Sequence, residues 1–401
     1  MSLAADRAQS AALALFRRPD ALLARLQVVY YPGSVLFGRG TISNLGALAR
    51  RFGTKAFLVT YAQGKTSKAG VARLVKESLA AEGIDTVPYE ITPSPYLHTI
   101  DDGAAKLRAS GAHFVVGAGG GSVLDTAKAI AALAANEGCW EDYQMGRATL
   151  SVPPLPIAAV PTTAGTGSEA TAVAVVANHQ QGIIKSVSHP MMLPRLVILD
   201  PDLTASVPPQ LTALVGLDAF IHAMESYVSP KASPITENLS LEALRLLAKS
   251  LLAAVLNGQD MEARSDVLLA SHLAGQALNA GVGAAHILAQ PISAVIGIGH
   301  PNALSTVLEH TVRYNEEYVG DKYRRVVKLL EPGAPEGEKP SRVIGRFLRD
   351  LGLDQKLSDY GATSDDIPRI LDAVVRSTGH IWTNPRPVTL DALEEILRAA
   401  L

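Results

Sequence analysis

Short apolar runs of strand length alternate with helical segments from residue 28 to about residue 200, and then the strand-like pattern stops. That switch constrains the fold more than any other feature of the chain. Residues 55–60 form a compact apolar run, residues 67–82 carry helical periodicity closed by Gly83, and residues 85–89 form a second run. Residues 100–110 read as a helix ended by Gly111. The run 113–116 then feeds a glycine-rich turn and a helix over 123–135. Residues 157–160, 171–176 and 196–199 complete the strand content. Strands separated by helices of this length close through crossovers, so the expected product is a parallel sheet covered by helices. Beyond Pro201 the patterns are long and helical, over 209–227, 235–257, 261–279 and 303–314, with almost no alternation. Proline and glycine mark surface loops at 332–339 and 384–387. With 401 residues, too many for one core of ordinary size, the chain is expected to hold three segments. These are a tail or short helix over 1–27, an α/β domain over 28–202 and an all-α domain over 203–401.

Composition narrows the function. Apolar residues are 48% and charged residues 18% of the chain, which excludes a disordered reading. The formal net charge of -2, with signs mixed throughout, recommends neither nucleic acid nor an anionic membrane as a partner. Small-molecule chemistry is the class that remains. The single cysteine, Cys139, excludes an intramolecular disulfide and any multi-cysteine metal site, which fits a reducing cytoplasm. Residues 11–16 are apolar, but Asp6 precedes them and Arg17 and Arg18 interrupt them, so the N-terminus resembles neither a signal peptide nor a spanning helix.

Two glycine-rich turns leave strand ends. In the first, Gly119, Gly120, Gly121 and Ser122 lie between a strand and a helix, where backbone N–H groups and the helix N-terminus make an anion site. The second, residues 161–169, carries hydroxyls at Thr162, Thr163, Thr166 and Ser168. A lone turn of this kind is as readily a plain strand-to-helix connection. Two together point to a nucleotide cofactor, although the G-x-G-x-x-G spacing is absent. Asp125 and Lys128 fall one and two turns into the helix that follows, and Lys185 is either a phosphate contact or exposed.

In a helix, Asp218 and His222 stand one turn apart on one face, about 6 Å apart at the backbone. Both lie in apolar surroundings where an unpaired carboxylate is costly. His286 and His300 lie in another apolar, glycine-rich stretch, separated by Pro291 and Gly297, and can return to one point from two elements. One carboxylate and three imidazoles without cysteine suit iron(II) or zinc, with manganese admissible. Each of His98, His113, His179, His189, His310 and His380 lacks a partner at ligand spacing and reads as surface or satisfied core. His272, in a helix, is read as structural.

Four motifs carry a resemblance that extends from about Tyr31 to the C-terminus. They are residues 119–128 (Gly-Gly-Gly-Ser-Val-Leu-Asp-Thr-Ala-Lys), 161–169 (Pro-Thr-Thr-Ala-Gly-Thr-Gly-Ser-Glu), 216–222 (Gly-Leu-Asp-Ala-Phe-Ile-His) and the block 286–300. In these the chain resembles the iron-containing, group III alcohol dehydrogenase family, related to glycerol dehydrogenase and dehydroquinate synthase. The resemblance implies a Rossmann-like N-terminal domain that binds NAD or NADP, an all-α C-terminal domain that binds a divalent metal, Fe2+ before Zn2+, and a small alcohol or aldehyde substrate. It places Asp218, His222, His286 and His300 on the metal ligands and Gly120, Gly121 and Ser122 on the pyrophosphate site. Thr162, Thr163, Thr166 and Lys185 fall on further cofactor contacts, with Gly119, Asp125, Tyr61 and Ser94 beside them. A homodimer or larger assembly is a family-level expectation.

The chain departs from the family pattern twice. Many members carry an aspartate after the strand that here ends in Phe57-Leu-Val-Thr60, where it disfavours a 2'-phosphate. This chain has Tyr61, with Lys65 and Lys68 nearby, so NAD and NADP are both admissible. Four residues after His286, where many members have a histidine, stands Gln290, which cannot exchange a proton near neutral pH. The resemblance leaves one close alternative, the maleylacetate reductases, a branch of the same superfamily that acts on a dicarboxylate keto acid and generally lacks the full ligand set present here. A dehydroquinate-synthase-like lyase needs a markedly basic pocket, whereas the residues around His286 are apolar.

Overall fold

The computed structural model describes residues 29–62, 69–92, 96–178, 181, 183–377 and 381–401. The expected N-terminal tail, Ser94, Lys65, Lys68, His179 and His380 lie outside the described residues.

Eight strands are present among them: β1 (Ser34–Phe37), β2 (Lys55–Tyr61), β3 (Asp85–Ile91), β4 (Phe114–Gly119), β5 (Ile157–Pro161), β6 (Val173–Asn178), β7 (Ile183–Ser188) and β8 (Leu196–Leu199). Six form one sheet in the order β1-β8-β5-β4-β2-β3, and every neighbouring pair is parallel. The expected parallel sheet is therefore found. β6 leaves it and pairs antiparallel with β7 as a separate two-stranded ribbon. A strand's own residue pattern does not name its neighbour, so the run over 171–176 read as a strand without showing where it pairs.

The first half carries the helices α1 (Leu45–Ala49), α2 (Ala69–Ala81), α3 (Leu97–Ser110), α4 (Gly121–Ala135) and α5 (Trp140–Gln144). After β8 come α6 (Pro209–Val228), α7 (Pro234–Leu256), α8 (Met261–Ala277), α9 (Ala284–Ile296), α10 (His300–Leu330), α11 (Pro340–Asp350), α12 (Ile367–Ser377) and α13 (Leu390–Ala400). α10 is interrupted at Gly320, whose backbone is not helical.

Residue alternation along the strands builds two cores, because successive side chains point to opposite faces. Phe57, Val59 and Val115 pack with Ile100, Leu107 and Ile130 in one core, while Leu58, Phe114 and Val116 pack with Leu45, Val75 and Leu79 in the other. A sheet covered on both faces favours strands apolar throughout, and all six residues of β4 are buried.

The chain divides into two compact units. One comprises Tyr30–Ala219 with Ala253–Gln276, the other Phe220–Leu252 with Ala277–Leu401. The first contains both sheets, and the second is wholly helical among its described residues. No helix among the described residues is long and apolar enough to cross a membrane.

Candidate metal centre and cofactor turns

α6 begins with Pro209, whose missing N–H costs nothing in a first helical turn, and no later Gly or Pro except Gly216 interrupts it. From Thr212 to Val228 every residue is buried, so polar side chains on this helix require partners. Asp218 and His222, on successive turns, are 2% and 7% exposed. His286, 8% exposed, enters from the first turn of α9. One donor atom from each of Asp218, His222 and His286 can be chosen so that all three lie within 4.8 Å of one another. The His222 and His286 rings stack at 4.5 Å between centroids. His300 opens α10, and its ring centre lies 5.5 Å from that of His286.

The sequence suggested Pro291 and Gly297 as separators of two elements. Only the second is one. Pro291 lies inside α9, and Gly297, at φ +81°, ends the helix in the left-handed region that favours glycine. One carboxylate and two imidazoles, buried and converging without a thiol, form a donor set that fits iron(II), zinc or manganese.

Behind His286 stands a residue to which sequence reasoning assigned no role. Glu225 Oε2 accepts hydrogen bonds from His286 Nδ1 at 2.7 Å and Gly283 N at 2.8 Å, and its Oε1 accepts from Ala285 N at 2.8 Å. Asn384 Oδ1 accepts from Ala284 N at 3.1 Å and from Asn315 Nδ2 at 3.0 Å. The signal for Glu225 was present, since Asp218, His222 and Glu225 at i, i+4 and i+7 share one helix face. No comparable signal marks Asn384.

The two glycine-rich turns meet across β4 and β5. Gly119 pairs with Pro161, and Thr162 N donates to Gly119 O at 3.0 Å. The chain leaves β2 toward β3 on one side and returns through β4 on the other, so the strand order switches direction between β2 and β4, the place where open α/β sheets bind ligands. Tyr61 ends β2 and Gly119 ends β4 at this switch. α4 starts there with no side chain capping its N-terminus. A side-chain carbon on Gly120 would stand 3.2 Å from Thr163 Oγ1 and 3.6 Å from the Tyr61 hydroxyl, and one on Gly121 only 2.6 Å from Thr166. The glycines thus let three hydroxyl-bearing side chains gather at a helix N-terminus, an arrangement suited to phosphate. Burial pushes the Tyr61 hydroxyl above its usual pKa, with the bond to Ser122 acting in the opposite direction.

Asp125 and Lys128 are tied to the second turn. Lys128 is 1% exposed, and its Nζ donates to Ser168 O at 2.9 Å, to Thr171 Oγ1 at 3.3 Å and to Val173 O, and pairs with Asp125 at 3.0 Å. Asp125 also accepts from Ser168 Oγ at 2.5 Å and Val175 N at 3.0 Å. Burial pushes the Lys128 ammonium below its usual pKa, and the Asp125 and Glu169 carboxylates pull it back up. Lys185 lies on β7 opposite Val176, half-buried, and Gln290 follows His286 by one turn of α9.

The other side of the second turn rests on α8. His272 Nδ1 lies 3.3 Å from Glu169 Oε1, both buried, and Gly167 and Gly275 bring backbone against backbone. A methyl group on Gly275 would sit 2.6 Å from Gly167 O. Gly275→Ala is therefore expected to destabilise the fold by about 1–3 kcal/mol through overpacking, read as a lower urea midpoint. An unchanged midpoint would show that this approach relaxes freely.

Comparison with known proteins agrees with these arrangements. Residues 32–201 match the family model described as iron-containing alcohol dehydrogenase, and residues 212–401 match that of the C-terminal region of the same family. A probable alcohol dehydrogenase of Escherichia coli strain K12 is 32% identical over 390 residues, covering 96% of this chain and 98% of that protein. The crystal structure of a 1,3-propanediol oxidoreductase superimposes with a TM-score of 0.88 at 31% identity, covering 94% of this chain and all of that one. A sulfoacetaldehyde reductase from Bifidobacterium kashiwanohense, solved in complex with NAD+, superimposes with a TM-score of 0.84 at 27% identity, over 94% of this chain and 98% of that one. With both regions of the family matched and its buried metal-site residues brought together, the chain belongs to the iron-containing alcohol dehydrogenase family, oxidoreductases that act on the CH–OH group.

Proposed function

We propose that this chain transfers a hydride between NAD or NADP and a small alcohol or aldehyde, with a divalent metal, Fe2+ or Zn2+, held by Asp218, His222, His286 and His300. The observation that carries the reading is the convergence of the buried Asp218, His222 and His286 donors. The ring of His300 beside His286 supports it as the fourth ligand. When bound, the metal supplies Lewis-acid polarisation of the reacting C–O group and the nicotinamide gives or takes the hydride.

The chain's own residues bind and orient. Gly119, Gly120, Gly121 and Ser122, at the start of α4, offer backbone and hydroxyl donors to the cofactor pyrophosphate, and Thr162, Thr163 and Thr166 add hydroxyls from the second turn. Asp125 serves the cofactor by holding that turn through Ser168. Tyr61, at the end of β2, places a neutral hydroxyl near the same glycines, which admits either dinucleotide, and Lys185 is a further cofactor contact. Gln290 can orient substrate by hydrogen bonding but does not move a proton near neutral pH. In this reading residues 28–202 form the cofactor domain and residues 203–401 the metal-binding domain. The two family matches, one ending at 201 and the next starting at 212, support that division.

The test is a screen of metal-loaded protein for oxidation of NADH and NADPH across aldehydes and keto acids. Turnover is expected with small or medium aldehydes, and only with metal present. Full turnover in a metal-stripped preparation, or turnover confined to dicarboxylate keto acids, would overturn the reading.

A further inference from the structure

We infer that Glu225 is a positioning residue of the metal centre, one that selects the tautomer of His286 and anchors the helix turn that carries it. The inference rests on the metal reading of the site and not on any choice of substrate. The donor at Glu225 Oε2 is the His286 Nδ1–H, at 2.7 Å. With the proton held on Nδ1, Nε2 is the nitrogen with the lone pair, and it is the one left to serve as ligand beside Asp218 and His222. The same carboxylate accepts from Gly283 N and Ala285 N, so it closes the start of α9 as an N-terminal cap supplied by a different helix. Asn384 takes the intervening Ala284 N. Three consecutive backbone N–H groups and the imidazole are thus fixed by two buried side chains. Metal geometry is sensitive at this level, because rotation of one turn of α9 turns the His286 ring away from α6.

Gly283 belongs to the same device. A side-chain carbon there would stand 2.8 Å from Glu225 Oε1 and 3.0 Å from Asn384 Oδ1, so only glycine lets both acceptors approach the first turn. The cradle extends to the interior of the helical unit: Asn384 exchanges hydrogen bonds with Asn315, which also bonds the hydroxyl of the fully buried Tyr323. Glu225 and Asn384 thus cradle the turn from among buried, hydrogen-bonded side chains.

The test is Glu225→Gln, which keeps the volume but replaces one acceptor oxygen by a donor, so the side chain can no longer accept all three hydrogen bonds. Zn2+ and Co2+ affinities are measured by competition with a chromophoric chelator, independently of hydride transfer. The tautomer of His286 is read from nitrogen-15 shifts of the metal-free protein. The wild-type protein is expected to show His286 as the Nδ1–H form, and the variant to bind metal about 10–100-fold more weakly. Wild-type protein showing the Nε2–H form overturns the inference even if the variant does not fold. So does a variant that folds and binds metal within twofold of wild type. Wild-type protein that binds neither metal overturns the metal reading itself, and the role of Glu225 with it.

Discussion

His286→Ala is expected to abolish bound metal and hydride transfer together. Asp218 and His222 share one helix, so His286 is what brings a second element to the cluster. Without it the proposed ligand set falls to Asp218, His222 and His300, and the imidazole whose ring lies against those of both other histidines is gone. Lewis-acid polarisation is worth several kcal/mol of transition-state stabilisation, so kcat/KM should fall by at least about 10^3-fold. Elemental analysis of the purified variant should find less metal than in the parent, and circular dichroism should find the helices intact, since the deleted ring lies within a single turn of α9. A variant that retains its metal and most of its activity would remove His286 from the ligand set. Loss of activity with metal retained would instead make its role one of substrate contact.

Lys128→Met is expected to destabilise the fold strongly. Methionine preserves the aliphatic stem and deletes the ammonium, leaving the Ser168 and Val173 carbonyls and the Asp125 carboxylate without their shared donor. Removing one member of a buried ion pair costs about 3–5 kcal/mol, because the partner charge stays buried. The unfolding midpoint of a unit of this size should drop by roughly 10 °C. The defect also has a functional signature. Lys128 holds the carbonyl of Ser168, the residue that closes the second glycine-rich turn, so the KM for cofactor should rise while metal content stays at the parent level. Stability within about 1 kcal/mol of the parent would show that the acceptors find water or one another, and that the buried amine is dispensable.

These two positions also separate what was legible in the residues from what was not. Local periodicity sufficed for Asp218 and His222, because the pitch of a helix places residues i and i+4 on one face whatever surrounds it. It sufficed as well for strands β2, β3, β4, β5 and β8 and for a sheet covered on both faces, since strand alternation and crossover length are properties of short segments. The resemblance extended that reading to the family, which the matches over 32–201 and 212–401 bear out.

What depends on long-range closure was not in any window of sequence. Nothing in the sequence around Lys128 marks it as buried, and only the fold surrounds its amine with acceptors 40 to 45 residues away. β6 chose β7 over the sheet, Pro291 was absorbed into α9, and Gly167 met Gly275 across more than a hundred residues. Glu225 shows the boundary most clearly. Its position on the ligand face follows from α6 alone, but its partners lie 58 to 61 residues along the chain. The sequence by itself determined which faces and turns carry the chemistry, because those are set by backbone geometry within a few residues. The tertiary structure decided which of them meet, because hydrogen bonds and close packing depend on distances that only the closed chain defines.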